Sequence, residues 1–421
     1  MWISKLKSQL SNQLVRGFSW MALMELAHRI MRLGTVVILA RSLTPYDYGL
    51  TAIVFLIVEF ANVFAVQGGI TSKLIQADEK EVSVLSNTVY WLNWIVCIVV
   101  FVVQCLAAFP IAWFYHDSQV ILPICVVASV YLILPVFTVQ SGLILRENRI
   151  KVIAIANMTN SVISNVLTIA FALMGFGMWS IVLSHVLSNV SWLTVYLKNH
   201  RWRPPKTVSF ERWQEILWFA KDPIAIGLLD KLRANLDYLL VGRFIGVEAL
   251  GVYYFAFNAG LGISLNVIRM FAITLLPYFC EVRTDVNQLR EKYFKGLKVI
   301  SAIALPVVVL QSSLAPFYVP IVFGQKWIEA VPVMILICLS AIPRPFALAA
   351  EQLLLSVDKG WISLRWNLIF TVIFAAALLV SVQWNILTVA ACVLVVHLLA
   401  LPVFVVWATR YVFGRSLSWS K

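Results

Sequence analysis

The sequence predicts an all-α protein that crosses a membrane many times. Hydrophobic residues make up 61% of the 421 residues and charged residues only 13%, whereas a soluble chain of this length needs far more polar surface. Apolar stretches recur along the whole chain at the length of about 20 residues that spans a bilayer. Because backbone polar groups cannot stay unpaired in lipid, these stretches are predicted to be helices.

We predict about twelve transmembrane helices joined by short polar segments. The predicted spans are 17–42, 49–71, 85–113, 119–144, 152–174, 178–197, 214–241, 249–277, 297–322, 330–356, 361–382 and 386–411. Tight turns are expected at 44–48 and 243–248. Each half of the chain then holds six spans, an even number, so both halves begin on the same side of the membrane.

The two halves carry copies of one unit. Arg41 matches Arg243, and Gly49 matches Gly251, with 202 positions between the members of each pair. Further matches join Phe55 with Phe257, Leu43 with Ile245 and Arg29 with Lys231. A duplicated unit with charge at membrane depth is typical of a transporter whose path lies between two halves.

The duplication divides the chain into two parallel six-helix repeats. We predict an N-terminal lobe at 1–200, a cytoplasmic linker at 201–213 and a C-terminal lobe at 214–421. Lys and Arg concentrate in the segments that this arrangement places in the cytoplasm, which predicts that both termini are cytoplasmic. The periplasmic segments hold Arg41, Arg243 and Lys326. The net charge of +13 therefore reflects topology and gives no reason to invoke nucleic acid.

The charged residues within the spans carry the predicted chemistry. The first span places four polar residues on one face of its helix. These are Glu25, His28, Arg29 and Arg32. A charge at mid-bilayer costs several kcal/mol on insertion scales, so this face is expected to meet a wet cavity or partner side chains. The alternative is an ion-pair network that only holds helices together.

The seventh span repeats the pattern with Asp230, Arg233 and Asp237 on one face. The residues predicted to bind an anionic substrate are Arg29, Arg32, Lys231, Arg233, Arg269 and Arg344. The acids predicted to couple transport to an ion are Glu25, Glu59, Asp230 and Asp237. Protonation of Glu25 or Asp230 would remove its charge and release the basic neighbour to hold the substrate.

Arg344 lies between two prolines, Pro343 and Pro345. Two prolines this close should break or bend the tenth span and free backbone carbonyls at depth. An arginine at such a break is a candidate to contact an anion, or else it satisfies the freed carbonyls, and both interpretations stay open. His397 in the last span is interpreted as a satisfied interior histidine.

The sequence lacks the signatures of several enzyme classes. It contains neither a GxxxxGK[ST] loop nor a GxSxG elbow, and its six cysteines have no metal-ligand spacing. No cofactor or metal site is therefore predicted. The alternative from a different class is a membrane-embedded polysaccharide polymerase or ligase. Such enzymes generally need a sizeable periplasmic loop, and the predicted periplasmic loops are short.

Three segments resemble those of polysaccharide (Wzx-type) flippases. Residues 41–49, Arg-Ser-Leu-Thr-Pro-Tyr-Asp-Tyr-Gly, resemble the R-x-L-x-P-x-D/E-aromatic-G turn after the family's first helix. Residues 70–76, which follow two glycines, resemble the end of its second helix, and residues 323–330 are similar to the F-G-x-x-W-x-x-A segment before helix ten. The resemblance covers essentially the whole chain.

The resemblance implies membership of the multidrug/oligosaccharidyl-lipid/polysaccharide exporter superfamily and a V-shaped exporter-type fold. It implies transfer of an undecaprenyl-diphosphate-linked oligosaccharide from the cytoplasmic to the periplasmic leaflet of the bacterial inner membrane, for lipopolysaccharide or exopolysaccharide synthesis. Because the sequence has no nucleotide-binding loop, the work must come either from coupling to an ion, H⁺ or Na⁺, or from the downstream gradient of product. The implied partners are membrane lipids, a polysaccharide polymerase and glycosyltransferases, and no catalysis is expected. A multidrug or lipid II-type exporter of the same superfamily is the nearer alternative.

The predicted topology is testable by thiol labelling. Single cysteines at Arg201 and Lys292 should react with an impermeant reagent only from the cytoplasmic side, and one at Lys326 from the periplasmic side, because the positive-inside rule orients these segments. The measurement uses intact cells and inverted vesicles in a background without the native cysteines. Labelling of position 201 in intact cells would contradict this orientation.

Overall fold

The computed structural model describes residues 31–66, 70–204, 207–261 and 274–414, and all regular secondary structure in these ranges is helical. Within them, eight helices are long and apolar enough to cross a membrane, or nine if one bent pair counts as a span. The prediction of an all-α polytopic membrane protein is confirmed. The seventh predicted span forms a helix that carries several charges, and the first and eighth extend into residues outside the described ranges.

The first half of the described chain contains nine helices. They are α1 (31–42), α2 (Pro45–Ala65), α3 (Ile70–Gln76), α4 (Val82–Tyr115), α5 (Ile121–Ala128), α6 (Val130–Ile133), α7 (Pro135–Arg146), α8 (Ile150–Leu173) and α9 (Trp179–Asn199). The bent pair lies in the fourth predicted span, where Ser118–Ile133 and Pro135–Arg146 meet at 54°. Pro135 accounts for the bend, because proline removes a backbone donor and clashes with the preceding turn.

The second half continues with eight helices in the described ranges. They are α10 (Trp213–Phe244), α11 (Val247–Ala256), α12 (274–280), α13 (Val286–Tyr318), α14 (Ala330–Leu339), α15 (Arg344–Ser356), α16 (Gly360–Ser381) and α17 (Ile386–Phe413). Turns of π-helix extend α11 over Phe257–Leu261 and α13 over Val319–Phe323.

The predicted turn at 44–48 is wrong in its extent, because α2 already begins at Pro45. Thr44 caps this helix: its hydroxyl accepts from the backbone N–H of Asp47 at 3.1 Å, while the Asp47 carboxylate accepts from the backbone N–H of Thr44 at 3.0 Å. Such a reciprocal box, with proline at the first helical position, starts a helix efficiently. The matching turn at 243–248 is also shorter than predicted, since α10 ends at Phe244 and α11 begins at Val247.

The described chain packs as two compact units. The first contains the described residues up to Leu43 together with Val54–Asp230, and the second contains Thr44–Ile53 together with the chain from Lys231 onward. Two helices therefore belong to both units, since α2 changes unit after Ile53 and α10 changes unit after Asp230. The lobe boundaries predicted from the sequence stay a prediction.

Ion pairs hold the start of α10 in place within the first unit. Glu215 pairs with Lys73 of α3 at 2.6 Å and with Arg212 at 2.6 Å, and Arg212 also pairs with Glu81 at 2.6 Å. The hydrogen bonds with Glu81 and Glu215 raise the pKa of Arg212 above its usual value. The hydroxyl of Thr88 in α4 donates to the carbonyl of Glu211 at 2.9 Å. These contacts fix the direction in which α10 leaves the linker.

Candidate functional site

A buried carboxylate in the second unit is the centre of the candidate site. Asp237 of α10 is 5% exposed. Its Oδ2 accepts a hydrogen bond from the hydroxyl of Tyr253 in α11 at 2.8 Å, and its Oδ1 accepts from the backbone N–H of Tyr238 at 3.0 Å. A buried acid needs such donors because the helices around it have replaced its water.

Two arginines supply positive charge to the same region. The guanidinium of Arg344 interacts electrostatically with Asp237 and with Tyr253. Both Arg344 and Arg233 interact electrostatically with His397 of α17. The structure therefore brings three of the predicted site residues, Asp237, Arg233 and Arg344, into one electrostatic cluster. We call these three residues with Tyr253 and His397 the acid–arginine cluster.

Arg344 occupies this place because the tenth span is interrupted. Helix α14 ends at Leu339 and α15 begins at Arg344, with a non-helical turn at 340–343 between them. The predicted break at the two prolines is confirmed. The backbone N–H of Arg344 donates to the carbonyl of Ala341 at 3.1 Å, which closes the turn. Arg344 thus adds its charge to the positive end of a helix, a combination that favours anions.

His397 fits its interpretation as a satisfied interior histidine. It is buried, its Nδ1 donates to the carbonyl of Val393 at 2.8 Å, and its ring meets the edges of Phe370 and Phe374 at 5.4 Å and 5.5 Å between centroids. The carbonyl contact fixes the tautomer, because an acceptor at that position requires a proton on Nδ1.

In the first unit, one face of α2 carries a stripe of aromatic and polar residues. Phe55, Glu59 and Asn62 share one helix face and are all partly exposed. The ring of His185 in α9 meets Phe55 edge-on at 5.3 Å, and the hydroxyl of Tyr131 donates to Asn62 Oδ1 at 3.2 Å. The stripe therefore combines one acid with neutral donors and acceptors, in contrast to the arginines of the second unit.

The remaining predicted site residues fall in several places. Arg32 is exposed on α1, Asp230 is exposed on α10 and Lys231 is half-buried next to it. A further acid within a span, Glu351 of α15, was not among the predicted site residues and accepts hydrogen bonds from Ser363 and Asn367 of α16, each at 2.9 Å. Glu25, His28, Arg29 and Arg269 lie outside the described residues. Among the described residues, no group of three His, Cys, Asp or Glu side chains is placed to hold a metal ion.

Sequence reasoning missed Tyr253, the donor that holds Asp237. A tyrosine in an apolar stretch is usually a packing residue, and the sequence pattern does not distinguish Tyr253 from one. At the 202-residue offset, Asp237 and Tyr253 correspond to Thr35 and Thr51. Most other aligned positions between 35 and 51 also differ from their counterparts, so the repeat does not single out this pair.

Comparison with known proteins supports a common fold and family. Residues 38–332 match the family model described as "Polysaccharide biosynthesis protein". The teichuronic acid biosynthesis protein TuaB of Bacillus subtilis (strain 168) is 23% identical over 97% of this chain and 85% of its own length.

Two solved structures show the fold. The lipid II flippase MurJ in an inward closed conformation has a TM-score of 0.76 at 10% identity, covering 93% of this chain and 87% of that chain. An inward-facing multidrug resistance MATE family transporter of the MOP superfamily has a TM-score of 0.75 at 15% identity, covering 93% and 96%. The chain therefore shares the fold of these transporters.

Replacing Tyr253 with Phe tests how much its hydrogen bond to Asp237 stabilises the protein. The change removes only the hydroxyl that donates to Oδ2. We therefore expect the free energy of unfolding to fall by about 1.5–3 kcal/mol, the usual contribution of a hydrogen bond to a charged group. Thermal unfolding in detergent measures the effect. Tyr90→Phe is the matched control, since the described contacts of Tyr90 are with the rings of Trp91, Trp94 and Trp202. Equal losses in both variants would show that the bond contributes nothing.

Proposed function

Because the chain belongs to the polysaccharide biosynthesis protein family, we propose that it is a flippase for an undecaprenyl-diphosphate-linked oligosaccharide. It moves this lipid from the cytoplasmic to the periplasmic leaflet of the bacterial inner membrane by alternating access. The observation that carries the proposal is the acid–arginine cluster, which holds charge inside a helical membrane protein. The names of TuaB and MurJ support a role in moving or building surface polymers.

The chemistry of the cluster suits a diphosphate. Arginine forks bind phosphate oxygens with two parallel hydrogen bonds, and such charge-assisted bonds are stronger than neutral ones. Arg344 stands at the start of α15, where the helix dipole also favours an anion. The negative charge of Asp237 compensates the positive charge of Arg344 before the substrate arrives. The substrate then competes with Asp237 for the guanidinium.

We propose ion coupling at Asp237, with H⁺ or Na⁺ as the ion. When the carboxylate binds H⁺ or Na⁺, its negative charge is neutralised and the electrostatic balance around Arg344 changes. Alternation between two access states needs such a difference. Asp237 suits this role better than Asp230, because Asp237 is buried beside the arginines and Asp230 is exposed. Glu59 of the first unit, and Glu25, which lies outside the described residues, remain candidates for the same role.

Transport accounts for these features better than catalysis does. A polymerase or ligase generally needs a sizeable periplasmic loop. In the described ranges the longest link between consecutive helices runs from Asn199 to Trp213, in the segment that we predict to be cytoplasmic. The comparison structures are named as a flippase and a transporter. A polysaccharide polymerase and glycosyltransferases would then act after and before this protein, respectively.

Arginine substitutions test the substrate site. Arg233→Ala, Arg344→Ala and Arg32→Ala should each abolish surface polysaccharide while the protein stays in the membrane. Lys at the same positions should restore activity only in part, because its point charge lacks the bidentate fork. Immunoblots of membranes and polysaccharide staining provide the two readouts.

The matched control is Arg365→Ala. Arg365 lies over the ring of Trp361 at 4.6 Å, outside the acid–arginine cluster, so its loss should leave export unchanged. Normal export by the Arg233 and Arg344 variants would remove both residues from the substrate site.

Ion coupling is tested in proteoliposomes with imposed gradients. Asp237→Asn should still bind the lipid-linked oligosaccharide but lose its response to a pH or sodium gradient. The reason is that the amide of asparagine is uncharged and has no negative charge for H⁺ or Na⁺ to neutralise. Asp222→Asn changes an exposed acid on the same helix and should respond as the parent does. Glu25→Gln and Asp230→Asn separate the other candidates. Loss of the response in Asp230→Asn alone would move the coupling to that residue.

A further inference from the structure

The hairpin of α8 and α9 in the first unit is polar without being charged. From residue 152 to residue 197 the sequence contains no Asp, Glu, Lys or Arg. It nevertheless places asparagine, serine, threonine and histidine at helical spacing along both spans. On α8 they are Asn157, Asn160, Ser161, Ser164, Asn165 and Thr168, and on α9 they include Ser184, His185 and Ser188. Apolar residues would be enough for contact with lipid, so these side chains need another explanation.

Two hydrogen bonds between the helices explain part of the set. The hydroxyls of Thr168 and Ser184 bond to each other at 2.6 Å, and the amide of Asn160 donates to the carbonyl of Ser188 at 2.8 Å. Polar contacts of this kind join helices in membranes. These residues therefore hold the hairpin together and need no ligand.

Three side chains at the level between those bonds are not used by the hairpin. Ser164 and Asn165 lie between the two bonds along α8, and His185 lies between them along α9. Among the described residues, the Ser164 hydroxyl, the His185 ring nitrogens and the Asn165 side-chain oxygen have no hydrogen-bond partner, while the Asn165 amide N–H donates to the carbonyl of Ser161 at 2.7 Å. All three side chains are partly exposed. Their remaining donors and acceptors are therefore available to a ligand.

The same three side chains point away from the apolar surface of the hairpin. On α8, the exposed residues Ile155 and Val166 are about half a turn around the helix from Ser164. On α9, the exposed Leu187 is about half a turn from His185. Polar groups at membrane depth meet water or a partner and not hydrocarbon. The open groups of Ser164 and His185 thus belong to a wet side of the first unit.

Helix α2 adds an aromatic ring and a second amide to this side. Phe55, the central residue of the 21-residue α2, meets the ring of His185 edge-on at 5.3 Å. Farther along the same face, Asn62 accepts from the Tyr131 hydroxyl, and its Nδ2 has no partner among the described residues. We define the amide–hydroxyl face as Phe55, Asn62, Ser164, Asn165 and His185.

The chemistry of the amide–hydroxyl face suits a sugar. Each sugar hydroxyl both donates and accepts, and so do the hydroxyl, amide and imidazole groups of the face. The ring of Phe55 offers an apolar surface against which a sugar ring can pack. The face contains no Lys or Arg, so it has nothing to attract a diphosphate. Glu59, which lies one turn from Phe55 on α2, adds a carboxylate at its border that would repel phosphate and accept from hydroxyls.

We propose that the amide–hydroxyl face binds the sugar residues of the cargo and determines which sugar repeat the protein accepts. This rests on the proposed function, which assigns the diphosphate to arginines of the second unit. A site built to hydrogen-bond a hydroxyl rejects a sugar that lacks it, because the side chains of the site are then left unpaired. Neutral side chains can therefore select a sugar repeat that charged ones would not distinguish.

Binding of one lipid with its sugars and one without them tests the proposal. The double variant Asn165→Leu with His185→Phe removes the open polar groups, and phenylalanine keeps the ring contact with Phe55. The Kd of undecaprenyl-diphosphate-linked oligosaccharide, purified from the producing strain, should rise about tenfold in detergent, as expected for the loss of one or two neutral hydrogen bonds. The Kd of undecaprenyl diphosphate should stay that of the parent.

A serine pair in the hairpin provides the matched control. Ser164→Ala should raise the Kd of the glycosylated lipid several-fold and leave that of undecaprenyl diphosphate unchanged. Ser184→Ala removes a hydroxyl that bonds to Thr168 inside the hairpin, so the ratio of the two Kd values should stay that of the parent. An unchanged ratio in the Ser164 variant and the double variant, including an equal loss for both lipids, would overturn the proposal.

Photo-crosslinking locates the sugar without relying on affinity. The photoreactive residue p-benzoylphenylalanine in place of Ser164 should capture undecaprenyl-diphosphate-linked oligosaccharide that is radiolabelled in its sugars. The same residue in place of Val166, on the opposite side of α8, should capture little of it. Immunoblots of membranes confirm equal amounts of the two variants. Capture that is no stronger at position 164 than at position 166 would overturn the proposal.

These measurements separate the sugar site from the proposed function. If the parent binds neither lipid, the proposed function is wrong and the sugar site falls with it. If the parent binds both lipids but the variants of the amide–hydroxyl face leave the Kd ratio unchanged, the proposed function stands and only the sugar site is wrong.

Discussion

An ionised side chain inside a membrane protein is stable only when other groups replace the water it has lost. Asp237 meets this condition through the Tyr253 hydroxyl, the backbone of Tyr238 and the charge of Arg344. The hydroxyl requires α11 to run beside α10, and the guanidinium requires the tenth span to break at residue 344. One carboxylate therefore constrains how three helices of the second unit are placed.

Comparison of the two copies separates the residues that shape the backbone from those that carry charge. The positions of Asp237 and Tyr253 hold Thr35 and Thr51 in the first copy, both buried. Each threonine hydroxyl bonds to a carbonyl one turn earlier in its own helix, at 3.0 Å and 2.8 Å. The hydrogen-bonding groups of the two threonines are thus satisfied within their own helices, whereas an acid needs a donor from another helix. The first copy keeps the framework of this region without its charge.

The sequence predicted features that local chemistry determines, and it missed features that packing determines. Composition gave the membrane class, and two prolines around Arg344 gave the break in the tenth span. The predicted extent of the turn before α2 is wrong because Thr44 and Asp47 form a capping box that starts the helix at Pro45. The partnership of Tyr253 with Asp237 depends on helices joined through a tight turn, which hydrophobic periodicity does not encode.

In the proposed transport cycle, the Tyr253 hydroxyl stabilises Asp237 at the stage when Arg344 does not. When a phosphate draws the guanidinium of Arg344 toward itself, Asp237 loses its positive partner at that moment. A buried acid left with no donor would cost several kcal/mol and would oppose substrate binding. Because Tyr253 and the Tyr238 backbone keep donating to both carboxylate oxygens, the competition between acid and substrate for Arg344 stays close to balanced. A nearly balanced competition is what allows a small ion to decide its outcome.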